Sequence, residues 1–157
     1  MKKHIYLITT ILFVLDQLTK QLVINIIDIG SSIKIIPNFF YLTYINNDGA
    51  AWGILSGQTI LLIIIAIITI LYINKLIKET NKINTRNVIA YGLVLGGILG
   101  NLIDRIIYGY VIDFLDFYIF GYDFPVFNIS DTAMVIGLLL IIYDILIGGE
   151  KDANNCG

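Results

Sequence analysis

The chain has 157 residues, of which 57% are hydrophobic and 14% charged, and its mean hydropathy is +0.84. A water-exposed domain usually carries about 25% charged and about 45–50% apolar residues. This length therefore allows a single domain, residues 1–157, and the composition requires lipid around it. Ten Lys and Arg against twelve Asp and Glu give a net charge of −2, which offers nothing to a nucleic-acid partner. His4 is the only histidine and Cys156 the only cysteine, so an intramolecular disulfide, a zinc cluster and a Ser–His or Cys–His nucleophile are all excluded. Chemistry must come from carboxylates, hydroxyls, amides, Lys or Arg.

A membrane helix needs about 20 mostly apolar residues. Four stretches qualify in chain order: residues 5–27, interrupted by Asp16 and Lys20; residues 54–73, without charge; residues 88–107, with Asp104 and Arg105 near the end; and residues 127–147, with Asp131 near the start and Asp144 near the end. The first follows Lys2 and Lys3 like a signal peptide, but it lacks a small-residue cleavage site and is read as a retained helix. Between the first two spans, Ser32 to Ile45 is rich in β-branched and aromatic residues and is broken at Pro37-Asn38, which predicts two short strands around a turn. The expected fold is thus a membrane all-α protein of four transmembrane helices. A small extracytoplasmic β-sheet, a cradle, lies between helices 1 and 2, and a short outer loop joins helices 3 and 4.

Basic residues set the orientation. Lys2, Lys3, Lys75, Lys78, Lys82, Arg86 and Lys151 flank one side, whereas the two opposite connections hold only Lys34. Both termini are expected in the cytoplasm of a multi-pass protein. The outward connections also carry fourteen of the nineteen aromatic residues, more than a two-sided interfacial belt would put there. This predicts an outer surface that holds membrane lipid or an amphiphilic substrate.

A charge at the centre of a membrane helix costs about 2.5–3.5 kcal/mol on insertion scales. Counting 1.5 Å per residue from the cytoplasmic ends places Asp16 at about 20 Å depth and Lys20 and Asp104 at about 26 Å. Asp131 lies about one turn into the fourth span, and Asp113 lies just past the third. All converge on the outer interface. Asp16, Thr19 and Lys20 share a helix face by their spacing, as do Asn101, Asp104 and Arg105. Gly92, Gly96 and Gly100 recur every four residues and predict close helix contact. Asp113 and Asp131 are the chemically suggestive pair, because two nearby carboxylates can share a proton and activate water. A proton- or ion-translocating protein and a non-catalytic tetraspan partner protein are the alternatives. The first would need polar groups reaching both sides, and the second needs no aspartate pair.

The assembled motifs resemble the lipoprotein signal peptidases, or signal peptidase II. Asp16-Gln17-Leu18-Thr19-Lys20, Asn47-Asp48-Gly49-Ala50-Ala51-Trp52, Gly96 to Arg105, Val111-Ile112-Asp113-Phe114 and Phe127-Asn128-Ile129-Ser130-Asp131 match that family's segments in order. The resemblance implies an intramembrane aspartic endopeptidase of the bacterial cytoplasmic membrane. Its active site is expected at the outer leaflet, without metal or other cofactor, in a monomer. Its substrates would be prolipoproteins whose cysteine carries a diacylglyceryl group, and the antibiotic globomycin would inhibit it. Asp113 and Asp131 would be the catalytic pair. Asn47, Gly49, Asn101, Asp104, Arg105 and Asn128 would bind substrate, and Asp16 and Lys20 would support the fold. Arg105 is expected to hold backbone carbonyls or the substrate's lipid ester region while balancing Asp104. Ser130 stands where the family usually has Ala, and its hydroxyl could hydrogen-bond the pair. The charge distribution has a direct test: a reporter fused after Lys78 should be cytoplasmic and one inserted near Asn38 external. Finding both on the same side would overturn the four-span topology.

Overall fold

The computed structural model describes residues 1–80 and 83–154; Lys82 and Cys156, both weighed above, lie outside them. Four helices are long and apolar enough to cross a membrane: α1 (Lys2–Ile26), α2 (Thr59–Glu79), α3 (Thr85–Tyr108) and α4 (Ile129–Asn154). The protein is therefore a multi-pass membrane protein. α3 is the central element, with more than half of its apolar stretch buried, while the other three leave most of theirs to lipid.

Small residues allow this packing. A Cβ at Gly92 would lie 2.7 Å from the Ile8 side chain, and one at Gly96 would lie 2.8 Å from that of Leu12, so α1 rests directly on the α3 backbone. On the other flank, a Cβ at Gly137 of α4 would come within 2.8 Å of the Ala90 carbonyl. Without a hydrophobic effect between helices in lipid, this contact depends on dispersion at close range. Asn84 caps α3 by accepting from the Asn87 N–H at 2.7 Å, and Gly109 ends it in the left-handed region, at φ 84°. Near this start of α3, Asp144 of α4 accepts from the Asn84 and Asn87 amides and pairs with Arg86 at 3.2 Å.

The second helix begins five residues later than expected, at Thr59 rather than near Ile54. A short 3-10 turn at Ala51–Gly53 and positive φ angles at Trp52, Gly53, Leu55 and Gly57 hold this stretch out of a helix. Its apolar side chains looked like the start of a span, but glycines at left-handed positions terminate helical geometry.

Above the bundle lies a four-stranded antiparallel sheet in the order β1 (Ser32–Ile36), β2 (Phe40–Asn47), β3 (Val111–Ile119) and β4 (Tyr122–Asp123). The first two strands fall where the sequence places them, with Ser32 opposite Thr43. The other two come from the connection between α3 and α4, expected as a plain loop. β3 pairs with β2 through Asn47–Val111, Ile45–Asp113 and Tyr41–Asp116, so one sheet joins both outer connections. Many of the outer aromatics pack here rather than form a lipid belt alone. Phe117 stacks on Phe40 at 4.5 Å and on Phe127 at 5.7 Å between centroids.

One ion cluster joins these parts. Lys20 Nζ lies 2.8 Å from Asp16 and 2.7 Å from Asp104, and all three side chains are fully buried. Asp16 also accepts from the Ser130 N–H at 2.9 Å, while Asp104 accepts from Gln17 at 2.9 Å and from the Ile112 N–H at 3.3 Å. Removing one member of a buried pair leaves the other charges uncompensated, at a cost of about 3–5 kcal/mol. Lys20→Met should therefore lower thermal unfolding in detergent sharply, whereas a Lys20→Met protein as stable as the parent would show the cluster to be dispensable.

Candidate active site

The two candidate aspartates arrive from different elements. Asp113 is the third residue of β3 and is almost fully buried; Asp131 is in the first turn of α4 and partly exposed. Asn128 joins them. Its side-chain amide donates to Asp113 Oδ1 at 2.6 Å, and its backbone N–H donates to Asp131 Oδ2 at 3.2 Å. Its side-chain oxygen accepts from the Asp131 N–H at 2.9 Å. This reciprocal exchange is a helix-capping arrangement, with Asn128 as the cap and Asp131 three residues on. The local sequence thus fixes the second aspartate while the cap residue reaches the first.

Two further amides hold the outer oxygens. Asn47 of β2 donates to Asp113 Oδ2 at 2.8 Å, and Asn101 of α3 donates to Asp131 Oδ1 at 2.7 Å. Asn101 in turn accepts from Lys20 at 2.9 Å, which ties the pair to the ion cluster below it. Burial is the main cause that pushes the Asp113 carboxyl up to about 7, and the neighbouring Asp131 charge adds to it. The Asn47 and Asn128 hydrogen bonds oppose that rise without cancelling it.

The pair sits at the polar end of a cavity of about 460 Å³. Asn47, Asn101 and Arg105 line that end with the aspartates; Trp52, Phe124, Phe127 and Val135 make the remainder largely apolar. Arg105 donates to the Gly49 carbonyl at 2.8 Å and to the Asn101 carbonyl at 3.4 Å, and its buried Nε has no hydrogen-bond partner among the described residues. It holds backbone carbonyls as expected, but Asp104 is balanced by Lys20 instead.

Three of the residues expected to bind substrate are placed away from the cavity lining. Asp104 does not line the cavity: it is fully buried in the ion cluster, because its oxygens face Lys20, Gln17 and the β3 backbone. Asn128 is also fully buried, behind the aspartates it joins, and Gly49 is buried beside Asn47, whose side chain accepts from the Gly49 N–H at 3.0 Å. Asp16 and Lys20 lie in the packed interior. Two features escaped the sequence reading. Gln17, on the same turn as Asp16, reaches both Asp104 and the Gly100 carbonyl, which helical spacing alone did not reveal. Asn128 is expected from the resemblance as a substrate contact, whereas its role as a helix cap is missed, although Asn followed three residues later by Asp at a helix start is a capping signal.

The fold and this site define a polytopic membrane protein with paired carboxylates at one end of an apolar cavity. The family model for signal peptidase (SPase) II matches residues 8–147. The chain is 43% identical to the lipoprotein signal peptidase of Staphylococcus haemolyticus (strain JCSC1435), with 99% of each covered. It is 42% identical to that of Staphylococcus aureus (strain JH9), across 95% of this chain and 89% of the relative. Two solved bacterial membrane enzyme structures obtained by the in meso method superpose with TM-scores of 0.85 and 0.81, both at 42% identity. The first match covers 95% of this chain and 88% of the other, and the second covers 89% and 90%. The chain belongs to the signal peptidase II family and is a peptidase.

Ser130 does not bond either aspartate. Among the described residues its buried hydroxyl has no hydrogen-bond partner, and it packs against Gly100. An unsatisfied buried hydroxyl is destabilising, so Ser130→Ala should raise stability by about 1 kcal/mol. A lower unfolding temperature in that variant would show that the hydroxyl is satisfied after all.

Proposed function

We propose that this protein is an intramembrane aspartic endopeptidase that removes the signal peptide from diacylglyceryl-modified prolipoproteins, cutting just before the lipidated cysteine. Its relatives carry the name lipoprotein signal peptidase. The observation that carries the aspartic mechanism is the pairing of Asp113 and Asp131 through Asn128 at the polar end of an apolar cavity. A lipid-modified substrate needs both properties: acyl chains seek apolar walls, and the scissile amide needs proton donors and acceptors.

The chemistry follows from the pair sharing one proton. The ionised carboxylate takes a proton from water as the water oxygen bonds to the scissile carbonyl carbon. The protonated carboxyl donates to the carbonyl oxygen, giving a neutral tetrahedral diol. Collapse of the diol breaks the C–N bond, transfers a proton to the departing cysteine nitrogen and leaves a carboxyl on the signal peptide. The Asn47 and Asn101 amides keep the two carboxyl planes fixed, and Arg105 holds the Gly49 backbone at the cavity wall. Both termini lie in the cytoplasm and the pair at the outer leaflet of the bacterial membrane, where Lys and Arg distribution puts the sheet. No cofactor takes part, and the working unit is a monomer.

Asp113→Asn and Asp131→Asn should each lower cleavage of a lipidated prolipoprotein by about a thousandfold or more, with the double variant hardly worse, because the two act as one unit. The pH profile gives an independent check. With Asp113 raised to about 7, the shared proton leaves as pH rises through that value, and two ionised carboxylates cannot donate to the carbonyl. Activity should therefore fall on the alkaline side of about pH 7, and it should fall again at acid pH once both groups are protonated. A single variant that cleaves at the parent rate would exclude the aspartic mechanism.

A further inference from the structure

Asp113 and Asp116 are three residues apart on β3 and therefore point to opposite faces of the sheet. Asp113 enters the cavity described above. Asp116 enters a second one, of about 450 Å³, lined by Ser32, Asn38, Tyr41, Asp116, Tyr118 and Gly121. The Asp116 side chain is 95% buried, from a residual exposure of 5%. Its Oδ2 accepts from the Thr43 hydroxyl, but its Oδ1 is buried with no hydrogen-bond partner. An unsatisfied buried carboxylate oxygen is costly and calls for a donor from outside the chain.

Nothing on the described residues supplies that donor. Lys34, the one basic residue of the outer connections, is paired in register with Tyr41 yet forms no ion pair with Asp116. The local field is negative: the charges of Asp116 and Asp123 raise the Tyr118 hydroxyl above its ordinary pKa. Tyr41 and Tyr118 meet edge to face at 5.3 Å between centroids, and the Tyr41 hydroxyl accepts from the Asn38 N–H at 3.2 Å, which fixes that ring. A carboxylate beside two aromatic rings is the chemistry that recognises an organic ammonium.

The surroundings identify the kind of molecule. Asn38 and Gly121 belong to the two turns at this end of the sheet, and each is next to an exposed phenylalanine: Phe39, and Phe120, which is fully exposed. An ammonium site beside apolar turn tips fits a ligand with a cationic head and an apolar body better than it fits a soluble amine. We propose that this cavity binds the ammonium of a phospholipid headgroup, seating the far face of the sheet on the membrane surface. The proposal is separate from the peptidase reading, since it concerns the face of the sheet that the catalytic pair does not use.

Native mass spectrometry of the full chain in detergent tests it without recourse to activity. The protein is titrated with phosphatidylethanolamine, phosphatidylglycerol and free ethanolamine. Phosphatidylethanolamine should bind about fivefold or more tightly than phosphatidylglycerol. Asp116→Asn, which keeps an acceptor for Thr43, should erase that preference. Tyr118→Leu should weaken phosphatidylethanolamine binding about threefold through the lost ring face, without changing the unfolding temperature, so the site remains testable if the Asp116 variant is unstable. Equal binding of the two lipids, a preference that survives both substitutions, or free ethanolamine binding as tightly as the lipid would overturn the proposal.

Discussion

The molecule depends on one buried ammonium. Lys20 sits between Asp16 and Asp104 with no exposure to solvent, in a protein where lipid replaces most of the surrounding water. Lipid gives helices little hydrophobic reason to associate, so directional contacts must supply specificity. This cluster supplies it: α1 contributes Asp16, Gln17 and Lys20, α3 contributes Asp104, β3 contributes the Ile112 N–H, and α4 contributes the Ser130 N–H. Any other helix register would leave a charge in the interior without a partner, at a cost of several kcal/mol.

The candidate site is built directly on that cluster. Lys20 donates to Asn101, Asn101 donates to Asp131, and Asn128 reaches both Asn101 and Asp113. Asparagine suits this task because one side chain offers both an acceptor and a donor. Two of them, Asn101 and Asn128, pass hydrogen bonds from the ion cluster to the carboxylate pair.

The sheet solves a different problem. The proposed mechanism asks for walls that hold acyl chains and a route for water. The helices provide α3 and α4 as one side of the cavity, and the outer connections cover it with Trp52, Phe124 and Phe127. Because β2 and β3 come from separate connections, their pairing also holds Asn47 opposite Val111, close to Asp113. The same strand turns Asp116 to the other face, so a single nine-residue element serves two cavities.

Much of this was legible in the residues. Apolar length gave four spans, because a helix that crosses lipid must satisfy its own backbone and so announces itself by composition. The β-branched run around Pro37-Asn38 gave the first two strands, and the charges placed at similar helical depth are the ones that meet in the structure. Segments with cooperating neighbours were harder to read. β3 has no clear marker, since its pairing partner lies some seventy residues earlier in the chain and only folding brings the two together. The start of α2 misled for a similar reason: Ile54 and Leu55 are apolar enough for a span, but positive φ angles set by the turn keep them out of it. Spacing placed Asp104 and Arg105 on one helix face as partners, whereas a lysine on another helix lies closer to the carboxylate in space. Composition and periodicity thus determined that the protein spans a membrane and which residue types could do chemistry. Which carboxylates face the cavity and which are neutralised in the interior was decided only by tertiary structure, because that depends on partners that sequence distance does not reveal.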